Sequence, residues 1–304
     1  MIFFLIGFLC LSCGKKEETI KIGYIPIADC GQLYVAIEKG YFKEENLNVE
    51  LTKLAGGANI LEALAGGSLN VGFTNVVSLI LSKSAGLDFV AITGGPIEDS
   101  LHAEHAIFVH KNSKINNIFS LSGKKIALNT RKNIDELMVT ELLEKNGVDL
   151  KSVQFVEIPF PRMQNVLELN QVDAIAPIEP FVTFSIKSGK SKLISYNYTE
   201  LYPKVEISTY VVSRSWLENN KNVAERFSRA ISKATDFAHQ KPEELRTIVS
   251  KYTSLSSEQM KDVVLPTFGH ELSISQLQSF TDRILRRGWI QNKVDAEQLI
   301  YNFK

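Results

Sequence analysis

Short apolar runs alternate with amphipathic stretches throughout the first hundred residues. The runs at 20–27, 49–51 and 69–73 have the length and composition of buried strands, and helical periodicity separates them. Gly40 ends the first predicted helix, and Gly66-Gly67 ends the second. Strand, turn, helix and strand in this order predict βαβ units and a parallel sheet, so the fold class is α/β. Such sheets bind ligands at the carboxyl ends of their strands.

The turns after these strands supply the candidate ligand residues of the first half of the chain. Asp29 and Gln32 have the spacing of a helix capping box, and Thr74 is a predicted N-cap. Gly56 and Gly57 have no side chains, so a ligand could approach the backbone N–H groups there. The candidates are Asp29, Cys30, Gly31, Gln32, Gly56, Gly57, Ala58, Thr74 and Asn75.

The second half of the chain repeats this arrangement. A new α/β unit begins at 121–128, a strand is predicted at 153–158, and 176–181 reads as the end of another strand. The turns at these points contain Asn129, Thr130, Arg131, Arg162 and Glu179. Both arginines are expected to grip a sulfonate, carboxylate or phosphate through paired hydrogen bonds. Aromatic residues at 34, 73, 160 and 181 are candidates for stacking on a ligand ring.

Residues 167–174 partly repeat the pattern of residues 64–71. Each segment predicts the end of a helix, then a residue that tolerates the left-handed conformation, then a short strand. Two copies of one unit suggest two similar lobes. The last third is predicted to be helical and structural, with capping boxes that begin at Ser256, Ser273 and Asp295.

Several of these segments carry a family resemblance, namely 23–26, 33–42, 49–51, 56–57, 63–72, 173–174 and 179–180. They resemble the solute-binding proteins of bacterial ABC importers, in the nitrate/sulfonate/taurine group (NMT1-like, THI5-like) that also contains binders of thiamine precursors. The resemblance extends to about residue 215. Asn70 stands where the family usually has Asp, and Arg131 lies in a turn that is usually small and rich in Gly and Ser.

The resemblance implies a two-lobed type 2 periplasmic-binding-protein fold, with a mainly parallel sheet in each lobe and the ligand cleft between the lobes. We expect the first lobe at 20–108 plus 208–304 and the second at 109–207. It implies that Glu179 faces the cleft, and a carboxylate that complements a helix N-terminus is an equal alternative.

The same resemblance implies a function in import. A monomer would capture a small organic solute outside the cytoplasm, a sulfonate-, nitrate- or taurine-like anion or zwitterion, and deliver it to the ABC permease. The alternative ligand is a thiamine pyrimidine precursor or another heteroaromatic vitamin precursor. A second alternative is an enzyme of pyrimidine or menaquinone biosynthesis that shares the fold. A sensor lobe for a membrane kinase is a third.

Residues 1–13 form an apolar leader that is too short to span a bilayer and is typical of a signal peptide. Because it ends at Leu11-Ser12-Cys13, we expect a lipoprotein signal, with lipid attached to Cys13 and a charged tether at 14–19. Cys10 and the absence of a basic residue before the apolar run depart from that pattern. Removal of the leader and acylation of Cys13 would leave Cys30 as a lone thiol.

The composition and the candidate residues argue against several other functions. The chain has 34 basic and 34 acidic residues, so it lacks the basic surface of a nucleic-acid binder. His102 and His105 could present metal ligands together, but no cysteine joins them, and we expect polar loop residues at the cleft rim. No metal, cofactor or catalytic residue is predicted, because no paired nucleophile and base is visible.

Overall fold

The computed structural model of the chain describes residues 17–253 and 255–303, without the side chain of Ser257. The predicted leader at 1–13, Cys13 and residues 14–16 of the tether lie outside the described residues. Within them, the predicted α/β class and the two-lobed arrangement are confirmed. Two five-stranded sheets each carry helices, and a small three-stranded sheet lies where the chain crosses between them.

The strands are β1 (Glu18–Tyr24), β2 (Leu47–Lys53), β3 (Val71–Asn75), β4 (Phe89–Thr93), β5 (Pro96–Asp99), β6 (Ile107–His110), β7 (Lys125–Leu128), β8 (Gln154–Glu157), β9 (Ala174–Ile175), β10 (Ser191–Ser195), β11 (Lys204–Glu206), β12 (Ser208–Ser213) and β13 (Thr267–Phe268). The helices are α1 (Gly31–Glu38), α2 (Tyr41–Glu44), α3 (Gly57–Ala65), α4 (Val76–Ser84), α5 (Ile134–Lys145), α6 (Phe160–Glu168), α7 (Phe181–Ser188), α8 (Arg214–Gln240), α9 (Pro242–Tyr252), α10 (Ser257–Met260) and α11 (Ile274–Arg286).

The first sheet has the order β2-β1-β3-β12-β4. Strand β1 is parallel to β2 and β3, as the βαβ rhythm predicts, while β12 is antiparallel to both of its neighbours. Glu18 and Thr19 pair with Leu47 and Asn48, so β1 begins inside the predicted tether. The tether is therefore shorter than predicted, because backbone pairing with β2 extends the strand toward the N-terminus.

The second sheet has the order β10-β6-β9-β7-β8. We predicted that the first lobe runs to Phe108 and that the chain crosses to the second lobe after it. Strand β6 instead pairs antiparallel with β9 and β10, both of which belong to the second sheet. The boundary at 108 is therefore wrong, and the chain crosses before Ile107.

Both connections between the lobes pass through the third sheet, of order β11-β5-β13. Strand β5 leads into the second lobe and β11 leads back, and the two are antiparallel. Strand β13 comes from the C-terminal part and pairs with β5. This sheet joins the two lobes at the base of the cleft.

The predicted internal echo is confirmed. Helix α3 ends before Gly67 at φ 72° and leads into β3, and α6 ends before Asn170 at φ 51° and leads into β9. A left-handed residue ends the helical segment in each lobe, and only glycine and a few polar residues such as asparagine adopt it at low cost.

Helix caps are partly as predicted. Asn133 and Ser273 cap α5 and α11, and Ser256 forms the full capping box with Gln259. Asn75, and not Thr74, caps α4, because α4 begins at Val76 and the Asn75 side chain accepts a hydrogen bond from Ser78 N. Asp295 caps a 3-10 turn through Glu297 N rather than forming the predicted box. No helix among residues 17–253 and 255–303 has both the length and the apolar character needed to cross a membrane.

Candidate functional site: the cleft between the lobes

The carboxyl-end turns of both sheets meet in a pocket between the lobes. Its volume is about 410 Å³. Nine of its described lining residues are apolar or proline, and Lys53 is the tenth. The lining residues are Ile25, Pro26, Ile27, Lys53, Leu54, Ala55, Pro159, Phe160, Pro161 and Phe181. A concave, largely apolar site of this size fits a small organic molecule.

The N-terminus of α3 opens next to this pocket. No side chain caps the helix at Gly56, so its first N–H groups are free to bind a ligand. A methyl group added at Gly57 would lie 2.5 Å from Oγ1 of Thr74, and one added at Gly56 would lie 2.7 Å from Cγ2 of Thr130. Glycine is therefore required here, and residues of the two lobes touch at Gly56 and Thr130.

Thr74 is fully buried, and its hydroxyl has no hydrogen-bond partner among the described residues. It lies beside the open end of α3, where partial positive charge accumulates. Asn129, from the second lobe, is also buried and accepts a hydrogen bond from Asn133 Nδ2 at 2.7 Å. The structure thus brings the predicted residues Gly56, Gly57, Thr74, Asn129 and Thr130 into one region.

The predicted residues of the first turn are arranged differently. Residues Ala28–Cys30 form a 3-10 turn, α1 begins at Gly31, and neither end of this turn is capped by a side chain. Gln32 points into the interior and donates to Thr235 Oγ1 at 2.5 Å. The predicted capping box is therefore wrong. Cys30 is fully buried, and burial raises the pKa of its thiol well above the usual value.

The two arginines predicted to grip the ligand do not converge on the pocket. Arg131 donates from Nε and Nη2 to both oxygens of Glu136 at 2.9 Å. The bidentate grip exists, but its partner is a carboxylate of the same chain, which corrects the prediction. Arg162 is exposed on α6. Neither guanidinium group therefore lines the pocket.

A group of buried carboxyl groups lies behind the pocket. Asp29, Glu98, Glu104 and Glu179 are each at most 1% exposed. Burial raises the pKa of Asp29 to about 6, although the nearby charge of His105 opposes the shift. Burial, reinforced by the charges of Asp29 and Glu98, raises the pKa of Glu104 well above its usual value. This interior therefore contains several carboxyl groups whose ionised form is disfavoured by burial.

Glu179 lies at the start of α7 and is the best-bonded member of that group. Its carboxylate accepts hydrogen bonds from Thr183 N at 3.0 Å, Thr183 Oγ1 at 2.7 Å and Val264 N at 3.1 Å. Burial nevertheless raises its pKa to about 7. These contacts correspond to the alternative in which the carboxylate serves a helix N-terminus.

The sequence of the chain matches those of known proteins. Residues 28–245 match the family described as NMT1/THI5 like. The chain belongs to the NMT1/THI5-like family. A Bacillus subtilis protein named as an aliphatic sulfonates-binding protein is 24% identical, over 97% of this chain and 92% of the relative. A Brachyspira hyodysenteriae protein named as an ABC transporter periplasmic binding protein is 25% identical, over 75% of this chain and 70% of the relative.

Solved structures give the same fold. The periplasmic aliphatic sulphonate binding protein SsuA from Escherichia coli has a TM-score of 0.76 and 20% identity, and the match covers 94% of this chain and 93% of that one. This NMT1/THI5-like protein therefore shares its fold with that structure over nearly the whole of both chains.

His105 is a further residue whose predicted position is wrong. We expected a polar residue at the cleft rim, but His105 is 3% exposed and its Nδ1 lies 2.5 Å from Glu98 Oε2. His102, by contrast, is half-buried and pairs with Asp99 at 2.8 Å. The sequence His-Ala-Glu-His indicates possible metal ligands, but the neighbouring residues do not show that the side chain of the second histidine points into the interior.

A separate ionic contact joins the lobes away from the pocket. Arg283 of α11 donates to both carboxylate oxygens of Glu141 of α5, at 2.8 and 2.5 Å. Its guanidinium also packs 4.4 Å from the ring centre of Tyr202. Both side chains are largely buried. In this NMT1/THI5-like chain, α11 therefore holds the second lobe through a buried ion pair.

Proposed function

We propose that the protein is the extracytoplasmic solute-binding protein of an ABC importer, and that its solute is a small organic sulfonate. The observation that carries the proposal is the pocket between the lobes, which combines apolar walls, one lysine and the uncapped end of α3. The apolar walls suit an alkyl or aryl group. The names of the relatives and the fold support the same role.

The sulfonate group would bind at the N-terminus of α3. Backbone N–H groups of the first turn, the Thr74 hydroxyl and the Lys53 ammonium supply the donors that three sulfonate oxygens need. Lys53 lies at the end of β2 and is exposed, so it would pair with the anion at the pocket mouth. The Thr74 hydroxyl would gain the partner that it lacks.

The test is calorimetric titration with methane-, butane- and hexanesulfonate, taurine and nitrate. Each CH₂ group that enters the pocket contributes up to about 0.8 kcal/mol, so affinity should increase with chain length. Thr74→Val and Lys53→Met should each weaken binding at least about tenfold, since a charged hydrogen bond is worth about 1.5–3 kcal/mol. Lys43→Met, on the exposed face of α2, is the matched control. Binding that ignores both chain length and Thr74 would reject the sulfonate proposal.

A heteroaromatic vitamin precursor is the second candidate, and one observation favours it. The rings of Phe160 and Phe181 line the pocket with centres 6.2 Å apart and planes 14° from parallel. Ring nitrogens and amino groups would then need the buried carboxyl groups of Asp29 and Glu179. Titration with an aminopyrimidine decides between the candidates, because Asp29→Asn should weaken this binding and leave sulfonate binding unchanged.

We further propose that the chain acts by binding alone, as a monomer that docks on the permease. It would be held at the membrane by lipid on Cys13, which lies outside the described residues. Labelling with a radioactive fatty acid tests the anchor, since Cys13→Ser should abolish incorporation. Incorporation that persists in this variant would contradict the anchor and leave the solute proposal untouched.

A further inference from the structure

Three donor groups converge behind the ligand pocket. One oxygen each of Glu98 and Glu104 and one ring nitrogen of His105 all lie within 4.8 Å of one another. Glu98 belongs to β5, and the other two follow it on the segment that crosses between the lobes. All three side chains are buried. Neighbouring ligands about 2.0–2.2 Å from one metal ion are about 3.3–3.6 Å apart, so side-chain movements of about 1 Å would complete the site.

The carboxyl groups around this point lack partners. Both oxygens of Asp29, both oxygens of Glu104 and Oε1 of Glu98 are buried without a hydrogen bond to any described residue. The carboxyl group of Asp29 faces that of Glu104. A buried ionised carboxylate is retained only where a charge of opposite sign or a hydrogen bond compensates it. One imidazole cannot neutralise three such groups.

The imidazole of His105 is held in place from several sides. Its Nε2 lies 3.5 Å from Asp135 Oδ1, and Asp135 in turn accepts a hydrogen bond from Tyr198 OH at 2.6 Å. The Tyr198 ring stacks on the imidazole with centres 3.8 Å apart and planes 7° from parallel. Histidines that bind metals usually direct their second ring nitrogen at a carboxylate in this way. The remaining nitrogen, Nδ1, is directed toward the carboxylates.

We propose that Asp29, Glu98, Glu104 and His105 bind one divalent transition-metal ion, Zn²⁺ or Mn²⁺. One imidazole and up to three carboxylates form a mixed nitrogen and oxygen set that suits these ions. The ion would balance most of the charge of the three carboxylates. The donors are too close together for an organic cation, whereas the solute pocket lies in front of them and has its own lining.

The position of the ion gives it a role in shaping the cleft. Asp29 comes from the turn after β1, which also lines the solute pocket through Ile27. The other three ligands lie on the crossing segment, where Glu104 O accepts a hydrogen bond from Glu179 N. The ion would therefore fix the first-lobe turn to the crossing segment, independently of which solute the pocket holds.

The test uses the purified full chain, stripped with a chelator and titrated with ZnCl₂ and MnCl₂ without solute at pH 7.5. We expect one ion per chain, with the tighter ion binding below micromolar, and a rise in Tm of several degrees at saturation. Binding by carboxylate and imidazole displaces protons, so the heat should vary with the ionisation enthalpy of the buffer. Zinc in the protein as purified, measured by mass spectrometry, gives a second readout.

Variants locate the ion. Glu104→Gln and His105→Ala should each weaken binding at least about 30-fold, and Glu104→Gln is nearly isosteric, so it should remain folded. His102→Ala is the matched control, because His102 lies three residues from His105, is half-buried and pairs with Asp99 instead. Unchanged affinity in the first two variants and loss in the third would place the ion at the surface and overturn the proposal. Failure of the stripped wild-type chain to bind either ion would overturn it too, whereas failure of the sulfonate titration would not.

Discussion

Asn70 and Asp173 make the same pair of hydrogen bonds in the two lobes. The side chain of Asn70 accepts from Lys21 N at 2.8 Å, and its own N–H donates to Lys21 O at 2.8 Å. Asp173 accepts from Lys125 N at 2.8 Å and donates to Lys125 O at 2.9 Å. Each residue therefore fixes the start of one strand to its parallel neighbour. The resemblance between the lobes extends to individual atoms.

This relationship predicts matched losses of stability. Asn70→Ala and Asp173→Ala should each lower the free energy of unfolding by about 0.5–1.5 kcal/mol, because each removes one acceptor from a strand N–H. Asn70→Asp should change it by less than about 0.5 kcal/mol, since a carboxylate accepts the same bond. Urea titrations measure all three. A larger loss in Asn70→Asp than in Asn70→Ala would contradict the shared role.

Glu179 predicts how stability depends on pH. Burial raises its pKa to about 7 in the folded chain, above the 4.5 of the free side chain. The folded state therefore holds a proton that the unfolded state releases between these values. The free energy of unfolding should fall as the pH rises from about 4.5 to about 7, by up to about 3 kcal/mol, and this contribution should be absent above that range.

Glu179→Gln separates this residue from the other titrating groups. Glutamine carries no charge and keeps one acceptor oxygen, so it can accept from Thr183 N or from Val264 N but not from both, a loss that is the same at every pH. Denaturant titrations of the chelator-stripped chain, at intervals of half a pH unit, should show a shallower decline in the variant. Equal slopes in the two proteins would show that the carboxyl group of Glu179 titrates normally.

The ion pair of Arg283 and Glu141 predicts a large cost when one partner is removed. Glu141→Gln leaves a buried guanidinium without its counter-charge, and such changes cost about 3–5 kcal/mol. Urea denaturation should show most of this loss. Glu258→Gln, which breaks the exposed pair with Lys261, is the control and should cost at most about 1 kcal/mol. Similar losses in both variants would show that burial does not strengthen the contact between the lobes.

Replacing Gln32 should change the free energy of unfolding without changing the affinity for the solute. Its side chain donates to Thr235 of α8 and is fully buried, so it does not reach the solute pocket. Gln32→Met should change the free energy of unfolding by about 1 kcal/mol and leave the solute Kd within about twofold. Calorimetry and urea titration on the same preparation test both parts. A tenfold loss of affinity at unchanged stability would return Gln32 to the binding site.

Periodicity and local stop signals predicted much of the fold. The parallel pairing of β1 with β2 follows from two buried strands separated by a helix, and the repeated unit was visible because Gly67 and Asn170 end its helical segments. The cap at Ser273 depends on spacing within four residues. These features are local, so the sequence alone contains the information needed to infer them.

Long-range contacts limited the prediction of the site. His105 turns inward because Tyr198, more than ninety residues later, stacks on its ring. Gln32 bonds to Thr235, about two hundred residues away. Arg131 was expected to bind the ligand, but it bonds to Glu136, five residues later in the chain. Each error concerns which of several chemically acceptable partners a side chain selects, and tertiary packing determines that choice.

The order of strands in the first sheet constrains how the chain can be cut. Strand β12 lies between β3 and β4, although it is more than a hundred residues away in sequence. A fragment that stops before residue 208 would leave β3 and β4 with unpaired edges facing a gap in the sheet. Residues 107–195, by contrast, contain all five strands of the second sheet. During synthesis the second lobe can therefore pair all its strands before the first lobe acquires β12, the strand between β3 and β4.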